Sequence, residues 1–205
     1  MTSKTYRFLR WFMALSVFGL LGGCLMVQPK ATTQSCLVLN TDGTSTWKDE
    51  FQFVTPPPPW KLIQLDEDDY SLAFLKLCSG MFPCQSTLAY AEEPFGYDRD
   101  LEKRAREFFK RFLWASRVQF GQPRLEKTTL FGQQGLIAYN EGIEPAKGHK
   151  VFCKIIFGKR GERVVAFYFT QWRPGDRDYD LDDVKSFDQF VESFRYLKPS
   201  FYETL

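Results

Sequence analysis

The residues best suited to covalent or acid–base chemistry are a few cysteines and one histidine, His149, in a chain of 205 residues. Cys78 and Cys84 flank a five-residue loop between two β-like segments. Facing residues of an antiparallel pair lie about 4.5–5.5 Å apart at Cα, within reach of a disulfide. The spacing therefore predicts a Cys78–Cys84 crosslink. Cys36 and Cys153 form a second possible pair without local geometry to support it. The other reading of Cys153 is a small buried hydrophobe, because Val151, Cys153, Ile155 and Phe157 share one strand face. The Cys-x5-Cys spacing is not that of a Cys-x-x-Cys redox enzyme.

Nucleophilic triads need a histidine, and His149 follows Gly148 at a loop-to-strand junction, where it reads as an exposed loop residue. Gly-x-Ser-x-Gly, a phosphate loop and a dinucleotide fingerprint do not occur. Asp176, Asp178 and Asp180 start like a calcium loop, which presents oxygens at alternate positions. Leu181 then stands where that loop needs glycine, and Phe187 where it needs glutamate. The run reads instead as a solvated turn whose later acids, Asp182 and Asp183, favour the positive N-terminus of a helix. No cofactor or metal is implied. Asp66 to Asp69 reads as a charged hairpin tip.

A possible recognition surface lies on the middle helix. There Trp114 falls opposite the apolar stripe, amid Lys103, Arg106, Lys110 and Arg117. Such a group either docks an anionic partner, lipid headgroups included, or is a tryptophan resting on Lys and Arg stems. Pro56 to Pro59 reads as a stiff corner that places Trp60 in the core, rather than as a polyproline ligand.

The N-terminus is an address. Lys4, Arg7 and Arg10 form a positive flank; Trp11 to Leu21 is apolar apart from Ser16 and Gly19; small residues then precede a cysteine. Leu21-Gly22-Gly23-Cys24 resembles the lipobox of bacterial lipoproteins, in which the thiol receives a diacylglycerol and cleavage falls before it. The resemblance implies a signal peptide over 1–23, a lipidated tether over 24–35 and one globular domain over 36–205. It also implies a membrane partner through Cys24, with Leu25 directing the protein to the periplasmic face of the outer membrane if the cell is diderm. Without residues 1–23 the chain carries 24 basic residues against 25 acidic ones. That balance gives no argument for nucleic acid, whose binders carry a basic excess.

With 21 phenylalanines the domain has ample apolar surface for one core. Strands are expected at 51–54, 60–65, 71–77, 87–91, 124–130, 135–140, 151–157 and 163–171. The last of these carries apolar residues on both faces, which predicts a central, twice-covered strand. Leu101, Ala105, Phe108, Phe112 and Ala115 recur at helical spacing, predicting a helix from Asp98 to about Gln119. A final helix is expected over 181–196, turning Val184, Phe187, Phe190, Val191 and Phe194 inward. The fold class expected is α+β, a three-layer α/β/α sandwich with helices on both faces of a mainly antiparallel sheet.

The early β segment leading to Pro58-Pro59-Trp60, the long middle helix, the β meander and the closing Phe190-Val191-Glu192-Ser193-Phe194 resemble the PsbP/Mog superfamily over about residues 50–197. Its members are three-layer sandwiches acting as non-enzymatic accessory or binding proteins. The resemblance implies a non-catalytic envelope module whose partner is an unidentified envelope protein or anionic ligand. The alternative is an envelope hydrolase that uses Asp and Glu carboxylates.

Overall fold

A computed structural model describes residues 37–63, 71–78, 84–93, 100–161 and 163–198, the side chains of Ser71, Glu93 and 111–116 excepted. The expected signal peptide and tether, with Cys24, Cys36 and the acidic run at 66–69, fall outside the described residues.

Five long strands build the frame: β5 (Ser71–Leu77), β6 (Gln85–Glu93), β9 (Gln133–Glu144), β10 (His149–Arg160) and β11 (Arg163–Arg173). With β4 (Lys61–Ile63) and β7 (Gln119–Phe120) they form an antiparallel sheet of order β4-β5-β6-β11-β10-β9-β7, and β8 (Arg124–Leu130) also pairs with β9. A second sheet has the order β1-β2-β3-β12, from β1 (Leu37–Leu39), β2 (Thr44–Trp47), β3 (Phe51–Val54) and β12 (Arg195–Tyr196).

Strand β11 is buried along its whole length, as its two apolar faces predict. Successive side chains of a strand point to opposite faces, so β11 divides its residues between two cores. Val164, Ala166 and Tyr168 join Leu101, Ala105 and Phe109 of the middle helix (Leu101–Ser116). Val165, Phe167 and Phe169 join Phe187 and Phe190 of the final helix (Leu181–Ser193), together with Trp47, Phe51 and Phe53 of the small sheet. Trp60 is buried in this second core, at the corner made by the prolines. Phe194 is its hub, with its ring centroid 4.5 Å from that of Tyr90 and 4.8 Å from that of Phe51.

This corrects the expected three-layer α/β/α sandwich. The described chain is chiefly antiparallel β-sheet, 55% strand and 17% helix with two helices. The reason is local. The segment before Pro56 does not supply one lone strand but folds into two successive hairpins, and β12 closes them into a sheet of their own. The second core is therefore covered by the small sheet together with the final helix, not by the expected layer of helix alone.

Helix boundaries also move inward. The middle helix is capped by Asp100, whose Oδ1 accepts from the backbone N–H groups of Glu102 at 3.0 Å and Lys103 at 3.2 Å. It ends at Ser116 because Arg117 takes a left-handed conformation, φ 59°. The final helix is capped by Asp180 and stops at Phe194, whose backbone is extended.

Candidate functional site

The residues expected to form a recognition surface divide as follows. Arg106 and Lys110 lie on the exposed face of the middle helix, with Lys103 one turn earlier; Arg117 is exposed just past its end. Trp114 belongs to the same helix, but its side chain lies outside the described residues. The helix is held by its other face, where Leu101, Ala105 and Phe109 are buried and Phe108 packs beside them. Its cationic face is thereby fixed outward on a rigid element.

A disulfide joins Cys78 and Cys84, with Cα atoms 5.2 Å apart, and the Cys78 N–H donates to the Cys84 carbonyl at 2.9 Å. It closes the β5–β6 connection as the spacing predicts. Cys153 is a free, fully buried thiol on β10, in the first core with Val151, Ile155 and Phe157. Burial pushes that thiol well above its ordinary value.

Three assemblies of charge were not read from the sequence. At the start of the final helix, the buried Asp183 accepts from Arg173 Nη2 at 3.1 Å, from Lys76 Nζ at 2.5 Å and from the Ser86 hydroxyl. Arg173 also donates to Ser86 Oγ at 2.8 Å and to the Gln85 carbonyl at 2.7 Å. Gln171 holds the backbone of Asp180 from both sides, donating to its carbonyl at 2.7 Å and accepting its N–H at 2.9 Å. Lys76 reaches Asp180 as well, at 3.1 Å. Burial raises the Asp180 carboxyl, but the Lys76 ammonium and the helix N–H groups outweigh it, so the carboxyl lies below its ordinary value. For Lys76, burial pulls down while Asp183 and Asp180 push up, and the ammonium ends above its ordinary value.

At the opposite end of β11, Glu92 accepts from Arg160 at 2.7 Å, from Arg163 at 2.6 Å and from the Tyr90 hydroxyl at 2.7 Å. The Arg160 guanidinium lies 3.5 Å from the centre of the Tyr196 ring and donates to the Lys198 carbonyl at 2.7 Å. This assembly fastens β12 to the large sheet. The third is Lys154, which rises from β10 between the rings of Tyr139 and Phe187 and meets Asp188 at 2.5 Å.

His149 opens β10 with its ring 3.2 Å from Glu144 and is not an exposed loop residue; the β9–β10 hairpin brings the two together. Of the acids tested as a calcium loop, Asp176 and Asp178 are exposed, Asp180 caps the final helix and Asp183 is buried in ion pairs. Among the described residues no group of three or more His, Cys, Asp or Glu is placed to hold a metal ion.

No family model and no curated protein matches the chain. Among solved structures it is similar to LpqN, involved in cell envelope biogenesis of Mycobacterium tuberculosis. That likeness has 11% identity and a TM-score of 0.47, over 69% of this chain and 80% of that one. It is also similar to the cyanobacterial PsbP protein CyanoP from Synechocystis sp. PCC 6803, at 17% identity and a TM-score of 0.48, over 87% of this chain and 99% of that one.

Proposed function

We propose that the chain is a non-catalytic accessory or binding module of the cell envelope, anchored by lipid on Cys24. The observation that carries the non-catalytic reading is how two of the buried carboxylates, Asp183 and Glu92, are used. Asp183 and Glu92 are each shared between two cations and a hydroxyl, so their lone pairs are occupied in fixing the final helix and β12. A carboxylate hydrolase needs an acid with a raised pKa in an open cleft, whereas Asp180 is shifted the other way. The middle helix turns Lys103, Arg106 and Lys110 outward on one face, which suits capture of an anionic partner better than bond cleavage.

The anchor reading rests on Leu21-Gly22-Gly23-Cys24 after a short apolar run. Cells fed labelled fatty acid should incorporate it into the wild type and not into Cys24→Ala, which should keep residues 1–23. Equal incorporation in both rejects the anchor. Crosslinking of the native protein followed by pull-down then identifies what it holds, and Leu25 directs it to the outer membrane in a diderm cell.

A further inference from the structure

We infer that the exposed face of the middle helix lies on the anionic phospholipid surface of the membrane to which the chain is anchored, a second contact besides the lipid.

The charge distribution points there. Residues 101–117 carry six basic and two acidic residues, while the rest of the chain after Gly23 carries 18 basic against 23 acidic. A near-neutral chain thus carries a local basic excess on this helix, with Glu102 and Glu107 its only acids there. At about 100° per residue, Lys103, Arg106 and Lys110 fall within an arc of about 60°. All three are exposed, and Arg117 continues the row beyond the last turn. A phosphate-bearing surface attracts that row and repels the acidic remainder, so it sets orientation as well as proximity. Leu101, Ala105, Phe108 and Phe109 of this helix are committed to the first core, so they take no part in the contact, which is made by the cations on the opposite face.

Geometry permits it. The chain enters the described fold at β1, in the small sheet, and Leu37 packs against the second core, whereas the middle helix packs on the first. The layers holding β1 and the middle helix are separated by about two layer spacings, or about 20 Å. The thirteen residues from Cys24 to Leu37 reach about 43 Å when extended. The extended reach is thus about twice that separation, leaving length to pass the edge of the fold.

The inference rests on the proposed anchor only for holding the protein at the membrane, and the test separates the two. The full lipidated protein is reconstituted into vesicles of phosphatidylcholine alone or mixed with phosphatidylglycerol, floated, and acetylated. Flotation with pure phosphatidylcholine reports the anchor. Lys110 labelling relative to Lys185, on the final helix, reports the helix contact. Each cation at an anionic surface contributes about 1 kcal/mol, or about fivefold. Lys110 labelling should thus fall about fivefold or more with phosphatidylglycerol and recover at 1 M salt, where screening acts within about 3 Å. Lys185 should not change. Arg106→Gln should weaken the protection about fivefold, and Arg106→Lys should retain it. Equal Lys110 labelling in both vesicles overturns the inference even if the protein floats, and so does equal loss at Lys185. If the protein does not float with phosphatidylcholine, the anchor fails. Flotation with phosphatidylglycerol that depends on Arg106 then still supports the helix contact, and its absence overturns it.

Discussion

Asp183, in the first turn of the final helix, meets Arg173, the last residue of β11, with Oδ2 3.1 Å from Nη2, and their side chains are 1% and 4% exposed. A pair removed from water this completely is held by its other partners, Ser86 and Lys76 for the acid and the Gln85 carbonyl for the base. The relationship ties the helix N-terminus to strands β5, β6 and β11 at one point.

Removing one partner should therefore cost far more than removing both. Asp183→Ala leaves a buried guanidinium uncompensated and should destabilise by about 3–5 kcal/mol, read from the urea midpoint. Arg173→Met combined with Asp183→Leu should be milder than either single change. A double variant as unstable as the sum of the singles would refute this account.

The Lys76–Asp180 contact should shape both ends of the pH–stability curve. The Asp180 carboxyl is lowered, so its contribution is complete above the unfolded value of about 3.9 and disappears as pH falls through the folded value. The Lys76 ammonium is raised, so its contribution is complete below about 10.4 and disappears as pH rises through the folded value. Melting temperatures of Lys76→Met across that range should fall less steeply at both ends than those of the wild type.

The cysteines should behave in opposite ways. Peptide mapping of the native protein should find Cys78 joined to Cys84, and breaking that bond by Cys84→Ser should cost about 2–3 kcal/mol. The Cys153 thiol, buried and raised, should resist alkylation in the native protein and react once denatured. Rapid native alkylation of Cys153 would contradict the burial.

Gly142 should be intolerant of a side chain. A Cβ there would stand 2.7 Å from the Gln119 carbonyl oxygen and 2.6 Å from Val118 Cγ1. Gly142→Ala should push β7 away from β9 and destabilise by about 1–3 kcal/mol, with amide exchange quickening at Gln119 and Phe120.

What the sequence disclosed follows from what patterns encode. Strands β5 and β8 and the start of the final helix fall where periodicity put them, since each repeats its signal over seven residues or more. Thr44-Ser45-Thr46-Trp47 escaped because only Trp47 offers an apolar face, and β12 because two residues carry no period. Missing them turned a β-rich fold with a second sheet into an expected helical layer. Asp183 was read as a helix-dipole acid like Asp182, and its local context is the same. Only the arrival of Arg173 and Lys76, ten and 107 residues distant, distinguishes the buried acid from the exposed one. The cations of the middle helix were legible because a helix displays them at its own spacing.

Pairing between β3 and β12 sets Phe51 opposite Tyr196, across almost the whole described chain. The small sheet and the second core thus remain incomplete until the last residues are available. This one pairing forms late, because a long loop must close before the contacts that reward it. Loss of the residues after Phe194 should therefore leave β3 without its partner and open the small sheet, while the frame of β5, β6, β11, β10 and β9 keeps its pairings.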